Sequence, residues 1–135
     1  MIKLYIDTNV IIDMIDNRKN KYGNNLGDPA SKVFTDAISC KYNLILSDWL
    51  FIELNKHKIP ESSRMLLELA KKKIIYQKLT DKDKIKAKQL SEEHSDDALH
   101  IILAEKAKAD IILTSNTKHF NKIPTNIPIK KPKNL

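Results

Sequence analysis

The residues best suited to chemistry fall in four polar clusters: Ile6-Asp7-Thr8-Asn9, Ser47-Asp48 leading to Glu53, Ser95-Asp96-Asp97-Ala98-Leu99-His100, and Thr114-Ser115-Asn116. The first, second and fourth follow short apolar runs rich in strand formers. The third opens a helical pattern instead. In parallel α/β folds, ligand sites lie beyond the carboxyl ends of strands, so Asp7, Glu53 and Asp97 are placed to converge. Converging carboxylates repel one another and lose hydration. A divalent cation is the usual remedy, and Mg²⁺ or Mn²⁺ prefers oxygen ligands.

Each residue also has a structural role open to it. Asp7 could cap a helix by accepting from free backbone N–H groups, but matching acids at other element ends favour metal ligation. Thr8 or Asn9 would then hold it through hydrogen bonds. Glu53 lies in an otherwise apolar stretch, off the Leu50/Leu54 stripe, and could equally face solvent. Asp96 and Asp97 open a helix whose dipole favours negative charge; one would cap it, leaving the other for a metal. His100 lies three residues after Asp97 on nearly the same face. It could line the site, although a hydrogen-bonded packing role suits it better. Asn116 offers a neutral carbonyl and could also cap the turn that follows. Ser115 and Asp96 are candidate supporters of the site. Asp13, Asp16, Asp48 and Asp110 read as structural or exposed.

The elements that must position these residues alternate between strand and helix. Strands are expected at residues 3–6, 44–46, 74–76 and 111–113, with a short fifth at 127–129. A short buried helix follows Asp7. Residues 17–28 are polar and read as a long loop. Pro29 fits the first turn of a helix capped by Asp28, and Ala30, Val33, Phe34, Ala37 and Ile38 follow its apolar face. Ser47 or Asp48 caps a helix to about residue 56, with Leu50, Phe51 and Leu54 on one side, and Pro60 breaks that pattern. A helix over 61–72 carries more leucine and methionine than one buried face needs, with Leu67 off the stripe. This suggests a homodimer or partner-binding surface. Thr80 or Asp81 caps a helix to about 93, and Ser95 or Asp96 another to about 108. Together these imply one α/β domain, residues 1–135, with a central parallel sheet of four or five strands flanked by helices.

Composition narrows the function classes. Apolar content is 41% and the apolar runs are short, so the chain is neither disordered nor membrane-spanning. Nothing at the N-terminus reads as a signal peptide. The lone Cys40 excludes an internal disulfide and fits a reducing cytoplasm. The histidine spacing does not suggest a Cys/His zinc site. Net charge is +7, which favours an anionic partner such as nucleic acid. Lysine outnumbers arginine 22 to 2, a bias that genome composition or growth at high temperature can also produce. With two glycines in all, phosphate-binding and dinucleotide loops are excluded in practice.

In this order and spacing, the clusters resemble the PIN-domain nucleases. Ile6-Asp7-Thr8-Asn9-Val10 looks like the family's opening motif, and Glu53 sits where its second acid is expected. Asp97-Ala98-Leu99-His100-Ile101 looks like the third motif. The run from Ala109 through Asn116, then Lys118-His119-Phe120, looks like the fourth. The resemblance covers essentially the whole chain. It implies that Asp7, Glu53 and Asp97 hold Mg²⁺ or Mn²⁺, and that Asn116 fills a fourth position that is often Asp. Asp96 matches no required position. A compact PIN protein of this kind resembles the toxin of a VapBC-type toxin–antitoxin pair. That implies a small cytoplasmic endoribonuclease acting on RNA, usually dimeric and neutralised by an antitoxin protein.

Such a site would activate water and offset charge building on a phosphodiester, while surrounding lysines bind flanking phosphates. Two other readings compete. A haloacid-dehalogenase-type phosphohydrolase wants a second Asp two residues after the first, where this chain has Asn9. A catalytically weak or inactive PIN-fold scaffold, binding nucleic acid or protein, is consistent with the neutral Asn116.

Overall fold

The computed structural model describes residues 1–16, 22–23, 25–55 and 58–135. Five short strands build one parallel sheet: β1 (Ile2–Ile6), β2 (Tyr42–Ser47), β3 (Ile74–Gln77), β4 (Ile111–Leu113) and β5 (Ile129–Lys130). Parallel neighbours need crossover connections. Helices supply these: α1 (Thr8–Asp16), α2 (Gly27–Ile38), α3 (Asp48–Leu54), α4 (Glu61–Leu69), α5 (Asp81–Leu90), α6 (Ser95–Lys106) and the short α7 (Thr117–Phe120). The expected α/β class and flanked parallel sheet are therefore what the chain adopts. Among the described residues no helix is long and apolar enough to cross a membrane.

Successive strand residues point to opposite faces, and the apolar runs fill both. Leu4, Ile6, Leu44, Leu46 and Leu113 meet Val10, Ile11, Val33, Phe34, Leu50 and Leu54 from α1, α2 and α3. Tyr5, Ile45 and Ile112 meet Ala87, Ala98, Ile101, Leu103 and Phe120 from α5, α6 and α7. Each fully buried Leu or Ile contributes roughly 1.5–3 kcal/mol, so the two-sided core holds the strand ends in place.

The strand order is β3-β2-β1-β4-β5. The chain steps outward from β1 to β3 and then returns to the other side of β1. The topological switch lies between β1 and β4, where α/β sheets open a crevice. Ile6 pairs with Leu113, so the chain leaves both strands at the same level, at Asp7 and Thr114. The Asp7 N–H donates to the Leu113 carbonyl at 3.0 Å and locks that level.

Several local expectations are corrected. The fifth strand is Ile129–Lys130 rather than 127–129, because register with β4 puts Ile129 opposite Ile112; Ile127 packs against the second core instead. Helix α2 starts at Gly27, so Asp28 is in its first turn and is not the cap; the Asp28 N–H donates to the Asn25 side chain at 3.0 Å. At α6 neither Ser95 nor Asp96 caps, and His94 precedes the helix without a side-chain cap bond. Ser47 does cap α3 and Thr80 caps α5, the latter in a reciprocal capping box with Asp83.

Helix ends also come earlier than periodicity suggests. Helix α4 stops at Leu69 and a 3₁₀ turn, Lys71–Lys73, feeds β3. Helix α5 stops at Leu90. Helix α6 ends at Lys106, with Lys108 at φ 57° and the Ala109 N–H returning to the Ala104 carbonyl. Leu67 is not off the core: Leu66 and Leu67 both pack on the first core, and Met65 and Leu69 face outward. Phe51 also faces outward, stacked on Tyr76 at 6.1 Å. Much of the expected 17–28 loop, and Lys56, lie outside the described residues.

Candidate active site

At the switch point, Asp7 is almost fully buried. Thr114 Oγ1 donates to its Oδ2 at 2.7 Å, and His100 Nε2 lies 3.2 Å from its Oδ1. Helix α3 brings in Glu53, whose Oε1 accepts from Thr8 Oγ1 at 2.7 Å and contacts His100 Nε2 at 2.7 Å. Leu50 and Leu54 bury the core side of α3. This turns Glu53, off their stripe, toward the sheet edge. Asp7, Glu53 and His100 each place one ligand-type atom within 4.8 Å of the others.

His100 is held from behind. Tyr5 Oη donates to Ser47 Oγ at 2.9 Å and lies 2.7 Å from His100 Nδ1. Ser47 Oγ in turn accepts the Leu50 N–H that caps α3. A phenol has one proton. With that proton on Ser47, Nδ1–H donates to Tyr5, and a proton on Nε2 would bridge the two carboxylates. Desolvation opposes the charge of the doubly protonated ring, but Asp7 and Glu53 outweigh it and raise the His100 pKa. Asp7 is also raised, chiefly by burial, against the pull of His100 and the Thr114 bond. Both directions mean that the metal-free cluster holds on to protons. Burial likewise raises the Tyr5 phenol, which stays neutral. Among the described residues, no buried side-chain polar atom lacks a hydrogen-bond partner.

Asp97 is half-buried in the first turn of α6. Its carboxyl is raised by burial, and Glu53 pushes it the same way. The charge on Asp97 also acts on Asp7, so the three acids share one field. Asp97 also forms a second group with His94 and His119, their ligand-type atoms within 4.8 Å of one another. Asn116 joins this side: its amide lies 2.8 Å from His119 Nδ1, and its N–H donates to Thr114 Oγ1. It starts α7 without a side-chain cap bond.

The other candidates separate. Thr8 reaches Glu53 rather than Asp7, and Asn9 is half-buried beside it. Asp96 is exposed; its carbonyl accepts from Trp49 Nε1, and it shares a cleft with Trp49, Lys84 and Lys88. Ser115 lines a different cleft, with Asp13, Asn25, Lys131 and Lys133. His100 has the packing role expected of it and still stands between the acids. Thr114, in the sequence only a member of the fourth cluster, has a defined role in holding Asp7. Its signal was its place at the end of β4, level with Asp7 at the end of β1. Tyr5 was hidden because an aromatic in a buried strand reads as core.

A family model described as PIN domain matches residues 3–118. Two solved structures share the fold. One is VapBC2 from Rickettsia felis bound to a DNA fragment from their promoter, at 19% identity and TM-score 0.62, covering 96% of this chain and 98% of that one. The other is VapBC-1 from nontypeable Haemophilus influenzae, at 20% identity and TM-score 0.59, covering 98% of this chain and 99% of that one. No curated protein matches by sequence.

Proposed function

This chain belongs to the PIN-domain family; on that premise we propose that it is a metal-dependent endoribonuclease, with residues 1–135 acting as one PIN unit. The observation that carries the reading is the meeting of Asp7, Glu53 and His100 at the β1/β4 switch, with Asp97 in the same field. Two carboxylates within reach of one ion fit a divalent cation that prefers oxygen ligands, Mg²⁺ or Mn²⁺. A cation held by Asp7, Glu53 and Asp97 would activate water and offset charge on the scissile phosphodiester. Thr114 fixes Asp7 and Thr8 fixes Glu53, so neither carboxylate has to be ordered when substrate arrives. Tyr5 and Ser47 fix the His100 ring.

The cleft of Trp49, Lys84 and Lys88 adjoins α6 and supplies cations and an indole face for an RNA strand. By analogy with the VapBC complexes, the chain acts as a toxin restrained by an antitoxin. The exposed Met65 and Leu69 of α4 and the stacked Phe51–Tyr76 pair are the apolar side chains offered to that antitoxin or to a second copy.

The test is cleavage of single-stranded RNA by the purified protein with Mn²⁺ or Mg²⁺. Cleavage should stop on chelation, and Asp7→Asn should lower it by about 100-fold or more, beyond what loss of a ligand's supporting contact costs. Metal-independent cleavage, or full activity in Asp7→Asn, overturns the reading. One observation favours a second reading, a catalytically inactive PIN-fold scaffold: the His100 ring already bridges Asp7 and Glu53. Under that reading, RNA binds and no cleavage occurs with any divalent ion.

A further inference from the structure

We propose that His94, Asp97 and His119 form a metal site of their own, selective for a nitrogen-preferring divalent cation such as Zn²⁺ over Mg²⁺. It shares Asp97 with the nuclease reading above but draws on neither Asp7 nor Glu53. His94 immediately precedes α6, Asp97 lies in its first turn, and His119 comes from α7. The three offer ligand atoms within 4.8 Å of one another. The two imidazoles stack at 4.7 Å with planes 29° apart, and Asp97 Oδ2 lies 3.7 Å from His119 Nδ1. Zinc bonds of about 2.0–2.2 Å put ligand atoms about 3–4 Å apart around one ion. Rotation of the two rings out of their stack would bring the three ligand atoms to that spacing.

The donor set decides which ion. Two imidazoles and one carboxylate suit zinc and its neighbours, whereas Mg²⁺ demands oxygen. Three protein ligands leave a coordination position open, as in catalytic zinc sites. Side-chain exposures of 19% for His94, 22% for Asp97 and 44% for His119 give an ion a way in. Asn116 provides the supporting contact. Its side-chain amide lies 2.8 Å from His119 Nδ1 and holds the ring beside Asp97. Asn116 is thus a positioning residue for His119, which explains how a neutral side chain serves at this strand end.

Cobalt(II) added to the RNA-free protein is the test, because its visible spectrum reports nitrogen ligands and low coordination. Wild type should develop strong ligand-field bands that Zn²⁺ bleaches and excess Mg²⁺ does not. His94→Ala and His119→Ala should each lose them, Asp7→Asn should keep them, and Asn116→Ala should weaken binding about tenfold. Imidazole NMR of the wild type is the second readout: Zn²⁺ should shift the His94 and His119 signals. A spectrum no different from aqueous cobalt overturns the proposal. So do bands that persist in the His94→Ala/His119→Ala double variant, or zinc shifts confined to His100. Either result would mean that the rings merely flank Asp97 as a stacked pair. Loss of RNA cleavage with Mn²⁺ would remove the nuclease reading and leave this one standing; absent cobalt bands would do the reverse.

Discussion

Two clusters of titratable side chains sit at one end of the sheet, and they are built on opposite principles. Asp7 and Glu53 are gathered around the fully buried His100 imidazole, and every buried side-chain donor and acceptor there has a partner. His94, Asp97 and His119 are partly open to water, joined by ring stacking and a contact of 3.7 Å. A buried charge group has to be satisfied internally, or folding bears its desolvation cost. The first cluster therefore doubles as part of the core, with Tyr5 and Ser47 behind it. The second is spared that demand because water remains available. The comparison teaches that the buried cluster carries stability and chemistry together, while the open one can change its partners at little cost to the fold.

The largest difference should appear in stability. His100→Ala leaves Asp7 and Glu53 without their cation, a loss of about 3–5 kcal/mol for a broken buried pair. His119→Ala, at a partly exposed position, should stay within about 0.5 kcal/mol. Denaturant unfolding of both metal-free variants measures this. Equal effects would show that the buried network is not what distinguishes the clusters.

A smaller effect should appear with pH. The folded-state pKa of His100 is raised above its unfolded value, near 6.5. Its contribution is therefore fully present below that value and is lost as pH rises through the folded pKa. Asp7 and Asp97 are also raised, so they act in the same direction from a lower pH. Metal-free protein should melt at progressively lower temperature as pH increases from about 5 to 9, and Mn²⁺ should restore more stability at the alkaline end, where it no longer competes with protons. Thermal melts with and without Mn²⁺ check this; a flat metal-free profile would remove the imidazolium from the cluster.

The smallest effect should be at Asn116, which touches the open cluster and Thr114 but no buried carboxylate directly. Asn116→Ala should reduce RNA cleavage by about tenfold at most, well short of Asp7→Asn, since only an orienting contact is lost. Asn116→Asp should tighten Mn²⁺ binding by adding a carboxylate. Calorimetric titration of wild type and Asn116→Asp tests the second claim; identical curves would place Asn116 outside any metal's reach.

Period and punctuation in the sequence by themselves determined the α/β class, the parallel sheet and most of the helices. Short β-branched runs alternate with 3.6-periodic ones, and such patterns have few ways to bury their apolar faces. Ser47 and Thr80 announced their helices, as capping residues do. The ends of α4, α5 and α6, and the register of β5, were beyond its reach, because those are decided by what each element meets in space.

The site shows the same division. Asp7 at a strand end, Glu53 off an apolar stripe and Asp97 opening a helix were legible as acids with somewhere to go. Only the tertiary structure decided which of them meet. The β1/β4 register sets Thr114 against Asp7, and α6 presses His100 between Asp7 and Glu53. The same structure turns Asp97 toward His94 and His119. Those pairings join residues far apart in the chain, so no local spacing encodes them. They arise from strand order and from the close packing that leaves each buried side chain one place to go.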